Sequence, residues 1–178
     1  MSVEDHEREA RYSIFNGEIR IATEWDTTGR WRAMARVADA LPSIGFVWPM
    51  VSAQDHGRSS ILHELDACWN NSVKHVQSET IMGERECEYA IEMATVLAGS
   101  REALRERPTF SDLICSIAPL AHDRDGIEAA LAFAEAGIPV GLLAMPTLGT
   151  TAPATSAGAL VVGDAEVITL EGLGTVGK

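Results

Sequence analysis

His75, Gln77 and Glu79 stand at every second position of a segment, Val73 to Glu79, that otherwise reads as a strand. A period of two sends all three side chains to one side of that strand and Val76 and Ser78 to the other. Facing the interior of a packed barrel, such a line would border a cavity. On an exposed edge strand the same line would simply be solvated. The pattern by itself leaves both readings standing.

Other chemistries are poorly served. Cys68, Cys87 and Cys115 are odd in number and widely spaced, which suits reduced thiols rather than a disulfide framework or a zinc ribbon. His63 and Glu64 are adjacent but lack the second histidine of a zinc-protease helix, so no metal site is indicated. Schiff-base chemistry wants a lysine at a strand end, and Lys74 and Lys178, the two lysines of the chain, do not sit well for it. The stretch Gly172-Leu173-Gly174-Thr175-Val176-Gly177 matches a dinucleotide-binding pattern, yet it stands one residue before the last with no helix after it to hold a pyrophosphate.

With 46% hydrophobic residues in 178, the chain can bury the core of one domain. Fourteen Lys and Arg against 26 Asp and Glu give a formal charge of -12, which repels nucleic acid. The longest apolar runs, such as Ile138 to Met145, fall short of the ~20 residues that cross a bilayer. No signal peptide opens the chain, so a cytoplasmic location with no membrane partner is the expectation.

The elements that must position these residues follow from periodicity. Residues 1–11 are charged and aperiodic and read as a disordered or displaced terminus; residues 12–178 read as one domain. Ser13 to Ile21 alternates around Asn16-Gly17, the chemistry of a hairpin. Trp31, Met34, Val37, Ala38 and Leu41 form one helical stripe that Pro42 ends, and Ile44 to Met50 reads as a buried strand. The alternation then repeats: helix Ser59 to Trp69, strand Val73 to Glu79, and helix Glu84 to Ala98 with Cys87, Ala90, Ile91, Ala94 and Leu97 inward and Gly99 as C-cap. A short helix, Arg101 to Arg107, leads to strand Phe110 to Ile117. A helix capped by Asp123, with Ile127, Ala130, Leu131 and Ala134 inward, ends at Gly137 before strand Ile138 to Ala144. Strands separated by helices imply right-handed crossovers and a parallel sheet, in a doubly wound fold or a barrel.

Gly137-Ile138-Pro139-Val140, followed by the run from Ala144-Met145-Pro146 through Thr150-Thr151-Ala152-Pro153-Ala154-Thr155 to Gly158, resembles the strand and loop signature of the trimethylamine methyltransferase family. Weaker matches are Leu41 to Val47, Gly99 to Pro108, and Cys115-Ser116-Ile117-Ala118-Pro119-Leu120. Together they cover roughly Thr28 to Glu166. After Glu166 the sequence departs from the family, with Thr169 to Gly174 where an apolar helix is expected.

The resemblance implies an α/β fold, part of an eight-stranded (β/α)8 TIM barrel. A full barrel takes ~250 residues, so flanking strands and helices would be missing. It also implies methyl transfer from a methylated amine, either trimethylamine or a quaternary amine such as glycine betaine, to a corrinoid (cobalamin) carried by a partner protein. No cofactor would be bound directly, and a homo-oligomer is left open. Reduced cobalt being the nucleophile, the protein would hold the donor through aromatic faces and carboxylates, at the C-terminal ends of strands.

Those ends are Trp48 and Met50; His75, Gln77 and Glu79; Cys115 and Ser116; and Met145 and Thr147. Of these, Trp48, His75, Gln77, Glu79, Cys115 and Met145 are the candidate substrate-binding set; catalytic residues are not identified. Trp48 reads equally as a core aromatic. Cys115 reads more readily as a small packing group and Met145 as core filler. The Gly149 to Thr155 loop offers backbone N–H groups to an anion or, more readily, a cap for the next helix. The competing reading of the whole is a non-catalytic barrel fragment or subunit that needs a partner to complete its fold.

Overall fold

The computed structural model describes residues 11–15, 18–22, 27–48, 53–79 and 83–176. They fall into two compact units, Met1–Val76 and Gln77–Lys178, and the chain passes from one to the other within a strand.

In the first unit β1 (Arg11–Phe15) and β2 (Glu18–Ala22) form the expected antiparallel hairpin, with Phe15 opposite Glu18. Helix α1 (Thr27–Ala40) buries Trp31, Met34, Ala35 and Ala38, an i, i+3, i+4, i+7 line. Val37 and Leu41, expected on that stripe, are exposed instead; Ala35 completes the inward line, and Val37 lies about 100° away from its neighbours on the helix. Lys74 Nζ donates to the carbonyls of Ala38 and Leu41 at 2.6 and 2.7 Å, adding a charged donor to carbonyls at the end of α1 that also accept the N–H groups of Leu41 and Ile44. A short 3-10 turn, Gln54–Ser59, leads into α2 (Ser60–Trp69), where buried Glu64 accepts the Ala53 N–H at 2.5 Å. Strand β3 (Phe46–Val47) pairs in parallel with β4 (His75–Ser78), Phe46 opposite His75 and Val47 opposite Val76.

The second unit holds the end of β4, α3 (Glu84–Ala98), α4 (Arg101–Glu106), β5 (Phe110–Cys115), α5 (Arg124–Ala136), β6 (Val140–Leu143) and α6 (Ser156–Val176). Strands β5 and β6 are parallel, Asp112 opposite Val140 and Cys115 opposite Leu143. The order across the sheet is β3, β4, β5, β6, so parallel strands alternate with helices as the periodicity implies. Four strands are half of a closed eight-stranded barrel.

Caps set the helix ends where the sequence put them. Asp123 Oδ2 accepts the Gly126 N–H at 2.8 Å. Gly137, at φ 82, ends α5 in the left-handed region, where a Cβ would also lie 2.5 Å from Arg105 Cγ. The inward faces differ from expectation. On α5 the buried line is Gly126, Ala129 and Phe133, while Leu131 and Ala134 are exposed. The small residues let the helix approach the sheet closely enough for Phe133 to meet Phe110 edge to face, ring centroids 5.5 Å apart. On α3, Cys87, Ala90, Ile91 and Ala94 are inward, but Leu97 is 52% exposed.

Helix α6 runs on through Val176, so Gly172 to Val176 is helix and not a phosphate-binding turn, and the departure from the family pattern after Glu166 does not interrupt it. Among the described residues no helix is long and apolar enough to cross a membrane.

Candidate functional site

Two strands of the second unit show which face of the sheet the helices leave open. Along β5, Phe110, Asp112 and Ile114 are buried and Ser111, Leu113 and Cys115 are half-buried. The buried set faces the helices: Phe133 of α5 meets Phe110, and a methyl group on Gly126 would come within 3.5 Å of Ile114. The other face gathers Leu113, Gly141 and Gln77, because a Cβ on Gly141 would lie 2.9 Å from Leu113 Cδ1 and 3.7 Å from Gln77 Nε2. Strand β4 alternates in the same way. Val76 and Ser78 are fully buried, His75 and Glu79 are exposed and Gln77 is half-buried, so the three polar residues do share one side.

Above the layer of Gln77, Leu113 and Gly141 come Glu79 and Cys115. Burial raises the Cys115 pKa above the ordinary thiol value, and the negative charges of Glu79 and Asp112 raise it further, so this sulfur is a thiol and not a thiolate. Cys115 is the last residue of β5. Its neighbour Ser116 is buried and accepts the Met145 N–H at 3.3 Å, which brings the exits of β5 and β6 together.

Gln77, Glu79, Cys115 and Met145 thus belong to one unit and one end or face of its strands. Met145 is 58% exposed and is not core filler: β6 ends at Leu143, and Met145 stands beyond it, above the layer that packs. His75 opens β4, two strand positions before Gln77, and partial burial holds its imidazole below the usual value. Trp48 lies one residue past β3 in the first unit, half-buried, with its Nε1 buried and lacking a hydrogen-bond partner. Met50 lies outside the described residues.

The Gly149 to Thr155 loop is occupied with itself. Thr147 O accepts from the N–H groups of Thr150, Thr151 and Ala152 at 3.0 to 3.1 Å, and Gly149, at φ 78, donates to Ala152 O. Thr155 Oγ1 accepts the Gly158 N–H at 3.2 Å, so the loop ends in a cap, not an anion site.

Two acidic residues escape notice in the sequence. Asp112 is 1% exposed beneath the helices, and burial lifts its pKa from 3.8 to about 7. The Ser78 hydroxyl and the Leu113 N–H oppose that shift and Glu79 adds to it. Ser78 approaches the carboxyl group, yet neither Ser78 Oγ nor Asp112 Oδ1 completes a hydrogen bond. The signal was present: Asp112 is in phase with Phe110 and Ile114. Glu166 is the second. It is 1% exposed in a helix that is otherwise largely apolar, and it accepts from Ser116 Oγ at 2.5 Å and from the Leu120 N–H at 2.9 Å. These donors, with the His122 imidazole nearby, hold its carboxyl below the ordinary carboxylate value. An acid in the middle of an apolar helix is the visible clue; its partners, 46 and 50 residues away, are not.

Parallel strands alternating with helices, with polar side chains on the open face and at the strand exits, make this an α/β protein whose arrangement is consistent with part of a β/α barrel. The chain belongs to the trimethylamine methyltransferase family, whose sequence profile matches residues 20–173. It is 36% identical over 155 residues to a trimethylamine methyltransferase of Desulfitobacterium hafniense, an alignment covering 86% of this chain and 30% of the relative. A glycine betaine methyltransferase of Desulfitobacterium hafniense is 36% identical over 109 residues, covering 61% of this chain and 21% of the relative. A trimethylamine methyltransferase of Methanosarcina barkeri is 30% identical over 138 residues, 76% of this chain and 28% of the relative. The chain therefore spans less than a third of the length of these relatives.

Proposed function

We propose that this chain forms part of a methylamine methyltransferase and that the second unit contributes the Gln77, Glu79, Cys115 and Met145 side of its methyl-donor site. The observation that carries this reading is the alternation of β4, which leaves Glu79 exposed at the strand exit, on the face away from the helices. The donor is trimethylamine or a quaternary amine such as glycine betaine. A carboxylate beside the cationic nitrogen gains in a water-poor cavity what it would lose to screening on a surface. The Gln77 amide and the half-buried Leu113 offer that ligand a mixed polar and apolar wall.

The acceptor in this reading is a corrinoid carried by a separate protein, which supplies a reduced cobalt nucleophile. The residues at the mouth fit a donor site facing such a partner: Cys115 stays a protonated thiol, and Glu79 is exposed where the partner would approach. The work left to this chain is to bind the amine, orient one methyl group toward the mouth and hold the nitrogen's charge until the carbon–nitrogen bond breaks. That balance favours binding over acceleration, since the nitrogen loses its charge on demethylation.

A second reading, a non-catalytic piece that folds with a partner completing its sheet, draws on a different observation. In the second unit β6 stands at the edge of the strand order, beside an apolar groove of about 500 Å³ between Ala144, Pro146 and Leu148 and the Leu160 and Val167 face of α6. Methyl transfer to reduced cobalamin separates the two. The 178-residue chain alone is inactive with either amine on both readings, whereas a protein of the relatives' length that contains this segment turns over only on the first. No turnover in that longer protein with its corrinoid partner present would leave the second.

A further inference from the structure

The mouth of the second unit is built from two loops, 116–122 after β5 and 144–155 after β6, and one carboxylate from α6 reaches both. Glu166 Oε2 accepts the Ser116 hydroxyl at 2.5 Å and Oε1 accepts the Leu120 N–H at 2.9 Å. Ser116 Oγ in turn accepts the Met145 N–H at 3.3 Å. The chain of bonds from Leu120 through Glu166 and Ser116 to Met145 is continuous.

Burial does little to fix the first loop. Ile117 and Leu120, its large apolar residues, are 54% and 63% exposed, so burial does not hold them. Within the loop Ile117 and Ala121 exchange backbone hydrogen bonds at 2.8 and 3.1 Å, closing a tight turn. Leu120 sits in that turn at φ 54, a left-handed conformation that is unfavourable for a residue other than glycine. The Glu166 bond falls on the N–H of that same residue, where it offsets the cost, and hydrogen bonds to a charged group are among the stronger ones.

We infer that Glu166 is a positioning residue for the mouth: through Leu120 and Ser116 it holds the β5 exit loop, and through Ser116 the start of the β6 exit loop, in the conformation that presents Cys115 and Met145 to the open face. What the mouth binds rests on the function proposed above; the latch itself does not.

His122 is the titratable side chain facing Glu166 from the loop, and the Met145 backbone approaches it from the β6 side. A carboxylate whose folded pKa is depressed contributes its interaction above the unfolded value and loses it as pH falls through the folded one. Glu166→Gln keeps the shape but removes the charge and one of the two acceptors.

The test is amide hydrogen exchange on the 178-residue chain, read as protection factors so that the intrinsic pH dependence of exchange drops out. Glu166→Gln is expected to lower protection at Leu120 and Met145 at least tenfold and to leave the Ser116 amide, bonded to Leu143 O within the sheet, unchanged. In the wild-type chain protection at Leu120 should fall as pH drops below the ordinary carboxylate range, and in Glu166→Gln it should not. Ser116→Ala, which cuts one arm only, should loosen Met145 more than Leu120. Equal protection at Leu120 in wild type and Glu166→Gln overturns the inference. So does a uniform loss across the strand amides, which would make Glu166 a general structural group. A loosened turn with amine binding unaffected by Glu79→Gln would keep the latch and remove the amine site; the reverse pair of results would do the opposite.

Discussion

Gly141 on β6 lies so close to Leu113 on β5 that a Cβ there would stand 2.9 Å from Leu113 Cδ1, and 3.7 Å from Gln77 Nε2. The glycine keeps the layer beneath Glu79 and Cys115 shallow. Because the encroached atom is the free end of a leucine, Gly141→Ala should move stability by no more than about 1 kcal/mol, the strain being partly offset by the lower entropy cost of ordering alanine. A urea melt checks this. A loss above about 2 kcal/mol would mean that Leu113 cannot yield and that the layer is rigid core.

Asp112 should set part of the pH dependence of stability. Its folded pKa, about 7, lies above the usual 3.8, so between those values the native state holds a proton that the unfolded chain has released. Stability then falls as pH rises from about 4 to about 7 and levels off above. Glu79, Cys87 and Cys115 are the titratable neighbours whose fields act on it or respond to it. Asp112→Asn removes the ionisation and should be more stable than wild type at pH 8 by on the order of 2 kcal/mol, with a smaller gap at pH 5. Equal denaturation midpoints for the two proteins at pH 8 would show that Asp112 ionises in the folded chain at little cost.

The inward face of α5 can be tested by contrast. Phe133→Ala removes a fully buried ring stacked edge-on against Phe110 and should cost about 3–5 kcal/mol, whereas Leu131→Ala, on the exposed side, should cost less than about 1 kcal/mol. Thermal unfolding of the two variants compares them directly; similar losses would put Leu131 back in the core.

That contrast also shows where the sequence is readable. Helix and strand order, the Asp123 cap, the glycine ends of α3 and α5 and the shared side of His75, Gln77 and Glu79 all follow from local rules of period and capping. The face of α5 does not. Aliphatic size pointed to Leu131, but close approach to the sheet selects small residues, so Gly126 and Ala129 face inward and the large buried group is Phe133. Met145 departs from the core-filler expectation for a related reason: its run of apolar neighbours reads as strand, and β6 ends two residues before it. Asp112 and Glu166 were missed because a buried acid is defined by partners far along the chain, Ser78 for one and Ser116 and Leu120 for the other.

In the proposed donor site Glu79 meets the positive nitrogen of a methylated amine. Calorimetric titration of glycine betaine and trimethylamine into a protein of the relatives' length that contains this sequence, wild type against Glu79→Gln, tests it most directly. Loss of a desolvated charge partner should weaken binding roughly tenfold or more, about 1.4 kcal/mol, with the effect shrinking as salt is added if the site stays open to water. Unchanged affinity for both amines in Glu79→Gln would contradict the claim.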